Sequence, residues 1–347
     1  MNSDSLPHFR NLLKHLLDGR DLSPDQVNSF LTDLVSQPFD EISAGAVLTA
    51  WRMRGEKAGE IAEAVRTMRR FQRSLPSPAG PVLDTCGTGG DESGTFNIST
   101  AVSLVVAGCG VRVVKHGNRA VSSRSGSADV LQELGVPIMA GPEWVETTYA
   151  KTGYAFCFAP SFHPALAKVG PLRRKLGVRT IFNLLGPLLN PAGAGHHLLG
   201  VGIPGLLDTL AGTLLNLECE QAILVSGRNR LDEVSLSGPT DVRIVSSKGI
   251  VSTVWTPDDF DLEPVELSEI QAADAVASAG IIRRVLEGEA GPALRMVLAN
   301  AAAGLLAAGA VGSLTEGVGR AREAIRSGRA NAVLRELQTS AADLVSA

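Results

Sequence analysis

Little in this sequence suits a disulfide frame, a zinc site, a membrane span or a nucleic-acid surface. The four cysteines (Cys86, Cys109, Cys157 and Cys219) are widely separated and form no CxxC pair. They read as buried thiols in a reducing compartment. The opening residues MNSDSLPHFRNLLKHLLDGR place polar and charged groups where a signal peptide needs an apolar core. The richest apolar run, Ala101 to Ala107, is far shorter than the ~20 residues that cross a bilayer. A cytoplasmic location is expected. A net charge of -4 and a pI near 5.9 leave no broad basic face for a nucleic-acid backbone, so any phosphate must be held locally. Aromatics are scarce at 4%, but 44% hydrophobic and 20% charged residues are a globular composition. At 347 residues, two packed units are the natural expectation. What the chain does have is glycine: 37 residues, clustered in a few segments. Such clusters mark tight turns and close backbone approach to a ligand.

The first ~75 residues read as helical. Phe9, Leu12, Leu13, Leu16 and Leu17 recur at helical spacing, and Ser23-Pro24 starts a second helix carrying Val27, Phe30, Leu31 and Leu34. Two more helices are expected over Ala44–Met53 and Ala58–Phe71. Composition changes after the break at Ser74–Pro81. From there the pattern predicts a strand (Val82–Thr85), a glycine loop, a helix (Ile98–Ala107), a strand (Val111–Val114), a second glycine- and serine-rich loop, and a helix (Ala128–Leu134). HLLGVGI, a helix through Leu206–Leu215 and QAILVSG repeat the theme. This alternation argues a mostly parallel sheet covered by helices, an α/β fold. A hairpin-like pair, Asp241–Ser246 and Gly249–Val254, interrupts it, and the last ~75 residues return to helix. The division expected is a helical unit over 1–75 and an α/β unit over 76–347.

The chemistry gathers at predicted strand ends. Asp84-Thr-Cys-Gly87-Thr88-Gly89-Gly90-Asp91 follows a strand and precedes a helix. It is either a plain glycine turn or a loop whose N–H groups close around phosphate oxygens. It fits neither a Walker loop nor a dinucleotide fingerprint. Asn97, Ser99 and Thr100 put three side-chain donors at a helix start, where capping needs only one. Lys115-His116-Gly117-Asn118-Arg119, Ser122-Ser123 and Gly126-Ser127-Ala128-Asp129 follow the next strand. Their cations, amide and hydroxyls fit an anionic, hydroxyl-bearing ligand at converging strand ends. Asp232-Glu233 are either a solvated acidic turn or hard oxygen ligands for Mg²⁺. Arg173, Arg174, Lys175 and Arg179 form either a solvated face or a fork for a carboxylate. His196 and His197 are adjacent on a strand, point to opposite faces and read as structural. His8 and His15 are expected to be exposed. His163 either borders the site or caps a turn.

In order and spacing, DTCGTGGD, FNISTA, VVKHGNRAVSSRSGSADVLQELG, FAPSFHPA, RRKLGVRTIFNLLGPLLNP and LDEVS closely resemble the anthranilate phosphoribosyltransferases. The likeness covers nearly the whole chain, and KHGNR with GSADVL is its most specific part. It implies a small all-helical N-terminal domain, joined by a returning segment near residues 164–190 and packed on a larger α/β domain. It implies a homodimer formed through helical-domain surfaces. The substrates would be phosphoribosyl diphosphate and anthranilate, in the second step of tryptophan synthesis from chorismate. By motif match, phosphoribosyl diphosphate would meet Gly87, Gly90, Asp91, Thr95, Asn97, Ile98, Ser99, Thr100, the run Lys115, His116, Gly117, Asn118, Arg119, Ala120, Val121, Ser122, Ser123, and Ser127. Ser99 and Glu233 would hold one Mg²⁺, and Asp232 with Glu233 a second. Asn118 and Arg173, beside Gly87, would hold anthranilate. Lys115, Asn118 and Arg173 would be the catalytic set. One departure stands out. Where the family commonly has Asp-Gly before the acidic pair, this chain has Asn229-Arg230-Leu231, and Arg230 adds a cation beside the second metal.

The chemistry so implied is modest. Diphosphate leaves C1 of the ribose as an aromatic amine attacks from the opposite face. Leaving-group charge is the main obstacle, so electrostatic stabilisation dominates. An arylamine is unprotonated at neutral pH, and no strong base is required. Two rival readings are a nucleoside phosphorylase, which would need no Mg²⁺ pair, and a non-catalytic relative binding nucleic acid, which would need a basic groove. KHGNR and LDE argue against the first, and the pI against the second.

Overall fold

Pro24 opens a helix over Pro24–Ser36 because Ser23 caps it. The Ser23 hydroxyl accepts from the Gln26 N–H, and the Gln26 side chain accepts from the Ser23 N–H. This helix, α2, follows α1 (Ser5–Leu17) and precedes α3 (Glu41–Arg54) and α4 (Ala58–Arg69). The computed structural model describes residues 5–76, 80–120 and 124–345. Val27, Phe30, Leu31 and Leu34 of α2 are all buried against Phe9, Leu12 and Leu16 of α1 and Trp51 of α3. Beneath Trp51 lies one buried carboxylate. Glu60 accepts from Trp51 Nε1 at 2.8 Å, Leu22 N–H at 2.7 Å and Lys57 N–H at 2.9 Å, and pairs with Arg54. It caps α4 and ties that helix to α3 and to the loop between α1 and α2. Glu60→Ala should therefore cost about 3–5 kcal/mol, the scale for removing one partner from a buried ion pair. Urea titration checks this, and Glu60→Gln should lose distinctly less.

The rest of the chain builds one seven-stranded sheet. In chain order come β1 (Val82–Asp84), α5 (Ile98–Gly108), β2 (Arg112–Gly117), α6 (Ser127–Glu133), α7 (Pro142–Thr152), β3 (Tyr154–Phe158), α8 (Ala159–Phe162), α9 (Gly170–Leu176), α10 (Phe182–Leu185), β4 (His196–Gly200), α11 (Leu207–Asn216), β5 (Gln221–Gly227), β6 (Thr240–Ser246), β7 (Gly249–Trp255), and then α12 (Ala275–Leu286), α13 (Pro292–Ala307), α14 (Leu314–Arg326) and α15 (Arg329–Val345). The sheet order is β3-β2-β1-β4-β5-β6-β7, parallel from β3 to β5 and antiparallel beyond. The fold is thus a small helical N-terminal domain packed on a larger α/β domain with a mostly parallel sheet. One hydrophobic core lies between the sheet and α5, α6 and α12–α15. A second joins α1–α4 to the 164–190 segment through Val169, Leu172, Phe182 and Leu185, and to α11, β4 and β5.

Several expectations change. The expected hairpin does form, as β6–β7, and it extends the edge of the sheet. The strand expected over Val111–Val114 runs on to Gly117, because Lys115, His116 and Gly117 pair in register with Phe156, Cys157 and Phe158 of β3. Those three residues belong to a buried strand, not to the loop after it. The aromatic strand β3, buried at all five positions, and α7 before it had no place in the sequence reading. His8 and His15 are half-buried rather than exposed, held to the Ser29 hydroxyl and the Asp21 carbonyl. Cys86 and Cys219 are likewise only half-buried, and all four cysteines are free.

His196 and His197 do point apart. His196 meets the Ala307 carbonyl and Glu220, while burial and the nearby Arg69 push His197 down to about 4. Its ordinary value is near 6.5. The folded state thus binds this proton less readily than the unfolded chain, and stability falls as pH drops below 6.5. By linkage the loss from this one ring is about 2 kcal/mol at pH 5. His197→Gln removes the ring, so its unfolding free energy should gain about that much on the parent between pH 6.5 and 5.

Candidate active site

The strand order turns between β1 and β4. Chain leaving β1 crosses to β2, whereas β4 lies on the other side, and such a switch point opens a crevice at the strand C-termini. The loop after β1, Gly87–Asp91, lies in that crevice and is clamped there. Thr88 N–H donates to the Gly200 carbonyl at 2.8 Å, and Gly202 N–H donates to the Thr88 hydroxyl at 3.0 Å. From the turn after β5, the Asp232 carboxylate accepts the Gly89 N–H at 2.9 Å. Gly200 is glycine for a steric reason: a Cβ there would stand 1.7 Å from the Asp232 carbonyl. The same holds more mildly at Gly87, where a Cβ would stand 2.8 Å from Asp232 Oδ2. Glycine therefore lets this loop lie flat against the acidic turn.

Three carboxylates crowd together. Asp232 is pushed up to about 7 by removal from water and by Asp91, with which it shares a hydrogen bond. Glu233 is pushed up to about 8 by burial and by Asp232, although Lys115 and the Ser99 N–H, 3.0 Å from Oε1, pull the other way. Each of the three residues is half-buried and keeps a partly open surface. Among the described residues, no three His, Cys, Asp or Glu side chains converge as a closed metal cage. An open acidic rim suits Mg²⁺, which binds one or two carboxylates and keeps water and phosphate oxygens as its other ligands. Repelling carboxylates beside a glycine loop are the donor set such an ion fits.

Beneath the loop, Lys115 is 2% exposed. Its ammonium donates to the Thr85 carbonyl at 2.7 Å and the Ser99 hydroxyl at 3.2 Å. In this state it braces the loop from below instead of projecting into solvent. Asp84, pushed up to about 6 by burial, accepts from Asn190 at 2.8 Å and from the His116 N–H at 3.3 Å. Asn97 is engaged too: its side-chain oxygen accepts from the hydroxyls of Ser125 at 2.7 Å and Ser278 at 2.9 Å. Ile98 and Thr100 point into the core. The Thr95 hydroxyl lies 3.2 Å from that of Ser93.

The loop after β2 is more open. Asn118 and Arg119 are exposed, but the Arg119 guanidinium binds Asp129 and Gln132. Arg119 thereby pins the loop to α6. Ala120 N–H donates to Asp129 at 2.9 Å. Gly117 admits Ser127, whose hydroxyl would lie 2.2 Å from a Cβ at that position. Val121, Ser122 and Ser123 lie outside the described residues.

The 164–190 segment closes the other side. His116 Nδ1 meets the Gly186 carbonyl at 2.8 Å, and the rings of His116 and His163 pack edge to face at 4.9 Å. Burial first, then His163, holds His116 down to about 3, and burial holds His163 at about 4. Both rings are neutral, and both Nε2 atoms are buried without a hydrogen-bond partner among the described residues. Arg173 on α9 lies over the Phe182 ring at 5.6 Å. Burial lowers its pKa, and no carboxylate balances it among the described residues. Of its neighbours, Arg174 is exposed and Lys175 pairs with Glu41. Arg179 instead reaches the glycine loop. Arg230 is exposed and sits at φ +70°, so the chain keeps a glycine-like backbone with an arginine.

Asp84, Asn190, Ser125, Ser278 and Arg179 were not among the residues expected to contact a ligand. Asp84, Ser125 and Asn190 lie within quoted motifs and Arg179 within the cation run, so only Ser278 carried no signal.

The chain is similar to known proteins over nearly its whole length. Residues 10–71 match the helical bundle domain of the glycosyl transferase family, and residues 79–331 its a/b domain. An anthranilate phosphoribosyltransferase of Desulfatibacillum aliphaticivorans is 43% identical over 323 residues, 93% of this chain and 95% of the relative. One from Anaeromyxobacter dehalogenans is 46% identical, over 95% of this chain and 97% of the relative. The crystal structure of anthranilate phosphoribosyltransferase from Thermus thermophilus superposes with a TM-score of 0.87 at 40% identity, covering 95% and 99% of the two chains. The Saccharomyces cerevisiae enzyme in complex with PRPP and Mg gives 0.88 at 29% identity, covering 98% and 99%.

Proposed function

Since the chain belongs to the anthranilate phosphoribosyltransferase family, we infer that its two half-sites divide one displacement at the ribose C1. The enzyme transfers the phosphoribosyl group of phosphoribosyl diphosphate (PRPP) to anthranilate, giving N-(5-phosphoribosyl)anthranilate and diphosphate in tryptophan synthesis. The observation that carries the division is the pairing of a crowded acidic turn with a glycine loop on one side and, on the other, an Arg173 with no carboxylate partner among the described residues.

The donor half is Gly87–Asp91, Thr95, Asn97, Ser99 and the loop after β2, including Ser123 and Ser127. Magnesium use fits the donor set: Ser99 and Glu233 would hold one ion, Asp232 and Glu233 a second. When bound, Mg²⁺ neutralises charge growing on the departing diphosphate. The protein supplies the rest. Lys115, fixed by Thr85 and Ser99, adds a cation beneath the loop. Glycine-loop N–H groups other than those of Thr88 and Gly89, which are held by Gly200 and Asp232, would face the phosphates. Arg173 and Asn118 orient the acceptor so that its amine meets the face opposite the leaving group. No strong general base is needed, since an arylamine is already unprotonated at neutral pH, and the surplus N–H proton can pass to water or the departing diphosphate after attack.

Domain closure about Ser74–Pro81 between the 1–75 and 76–347 units fits this division, although residues 77–79 lie outside those described. A homodimer through the helical face has support as well. Leu17, Ile42 and Met53 are 71%, 84% and 84% exposed, on an apolar groove of about 820 Å³. Among the described residues no helix is long and apolar enough to cross a membrane, and the free cysteines fit a cytoplasmic enzyme. Counting bound Mn²⁺ by electron paramagnetic resonance at saturating PRPP tests the metal assignment. Two ions per subunit are expected, and one in Asp232→Asn. A single ion in the parent enzyme would remove the second site.

A further inference from the structure

Arg173 and Arg179 share one short segment but serve different halves of the site. Helix α9 stops at Gly177, whose N–H bonds the Arg173 carbonyl at 3.2 Å and whose φ of +63° turns the chain sharply. Arg173 thus stays over Phe182, while Arg179 is swung across to the loop after β1. There its Nη2 donates to the Thr88 carbonyl at 3.4 Å. Its Nη1 lies so close over Gly90 that a Cβ there would stand 2.1 Å from it. Gly90 has a φ of +77°, so glycine is required twice: for the backbone conformation and for the guanidinium above it.

The other side of Arg179 is a small gap lined by Arg52, Glu56, Thr180 and Leu184. Glu56 is 6% exposed, and neither of its carboxylate oxygens has a hydrogen-bond partner among the described residues. Its ion pair with Arg52 is long, at 3.5 Å. Burial and Arg52 disfavour the charge on Arg179, and Asp232 favours it. Arg179 therefore spans from the segment packed with the helical domain to the acidic edge of the donor loop.

We propose that Arg179 is a positioning residue for the diphosphate-binding loop, the strap through which the segment carrying Arg173 also sets the geometry of Thr88–Gly90. The inference rests on the donor-loop reading above. It makes the acceptor and donor halves mechanically continuous: a shift of α9 on Arg173 is passed through the Gly177 turn to the loop.

Steady-state kinetics in both substrates, with melting temperatures, tests it on Arg179→Met, Arg179→Lys, Gly90→Ala and Asp232→Asn. Arg179→Met should raise KM for PRPP about tenfold, with KM for anthranilate within about twofold and an unchanged melting temperature. Arg179→Lys should recover part of the loss, since it restores charge without the two-pronged reach. Gly90→Ala, which displaces the guanidinium, should shift the same constant in the same direction. Adding Arg179→Met to Gly90→Ala should then cost less than it does in the parent. A parental KM for PRPP in Arg179→Met, with Asp232→Asn impaired, would overturn the strap and leave the donor loop in place. Equal rises in both KM values with a lower melting temperature would also overturn it, as mere loss of packing. Parental behaviour in Arg179→Met and Asp232→Asn together would sink the donor-loop reading itself.

Discussion

Replacing Asp232 by Asn together with Glu233 by Gln should abolish turnover and at the same time make the protein harder to melt. Both carboxyl groups lie beside Asp91 and are held far above their ordinary values, chiefly by burial. Lys115 and two backbone N–H groups offset only part of that repulsion. The amides keep the hydrogen bonds to Gly89 and Ser99, since a side-chain carbonyl oxygen accepts as a carboxylate does, but they remove the charge. The metal-free protein should gain stability, and each ~1 kcal/mol gained is worth roughly 2–4 °C in a chain of this size. Turnover should fall at least about a hundredfold, the scale for losing a principal electrostatic stabiliser of leaving-group charge. Parallel assays at limiting and saturating Mg²⁺, with calorimetric melting, check both halves. Parental activity at limiting Mg²⁺ would remove the pair from the site. An activity loss with a lower melting temperature would make the pair structural.

The second large effect concerns acceptor recognition. Arg173→Ala should raise KM for anthranilate roughly tenfold to a hundredfold, the range for a charge-assisted, two-pronged contact. KM for PRPP should hardly move. The warrant is a half-buried guanidinium stacked on Phe182 with no carboxylate partner among the described residues, a cost that a ligand carboxylate would relieve. Arg174→Ala and Lys175→Ala should do far less, because one is exposed and the other is occupied by Glu41. Arg173→Lys should recover only part of the loss, lacking the planar fork. An Arg173→Ala enzyme with parental KM for anthranilate would mean that the carboxylate is held elsewhere.

Local signals made much of this fold legible. The Ser23-Pro24 cap, the helical stripe Phe9-Leu12-Leu16 and the strand-loop-helix grammar around Gly87–Asp91 all act within a few residues of chain. What stayed hidden depends on contacts distant in sequence. Strand β3 is buried at every position, so it shows no alternation, and without β3 nothing marked Lys115–Gly117 as strand. Asn97 looked free to meet a ligand because Ser278, 181 residues away, gave no local sign of binding it. Lys115 was legible as a phosphate-site cation, but its brace on Thr85 appears only once β1 and β2 lie side by side. Arg179 was one of four cations in a run, and only the turn at Gly177 selects which of them reaches the loop.

The most direct test is a single progress curve. Parent enzyme with Mg²⁺, PRPP and anthranilate should quench anthranilate fluorescence to completion and release one diphosphate per anthranilate consumed. Omitting PRPP, or chelating the metal, should leave the signal flat. Undiminished fluorescence with all components present, or consumption that continues after the metal is chelated, would contradict a magnesium-dependent phosphoribosyl transfer at this site.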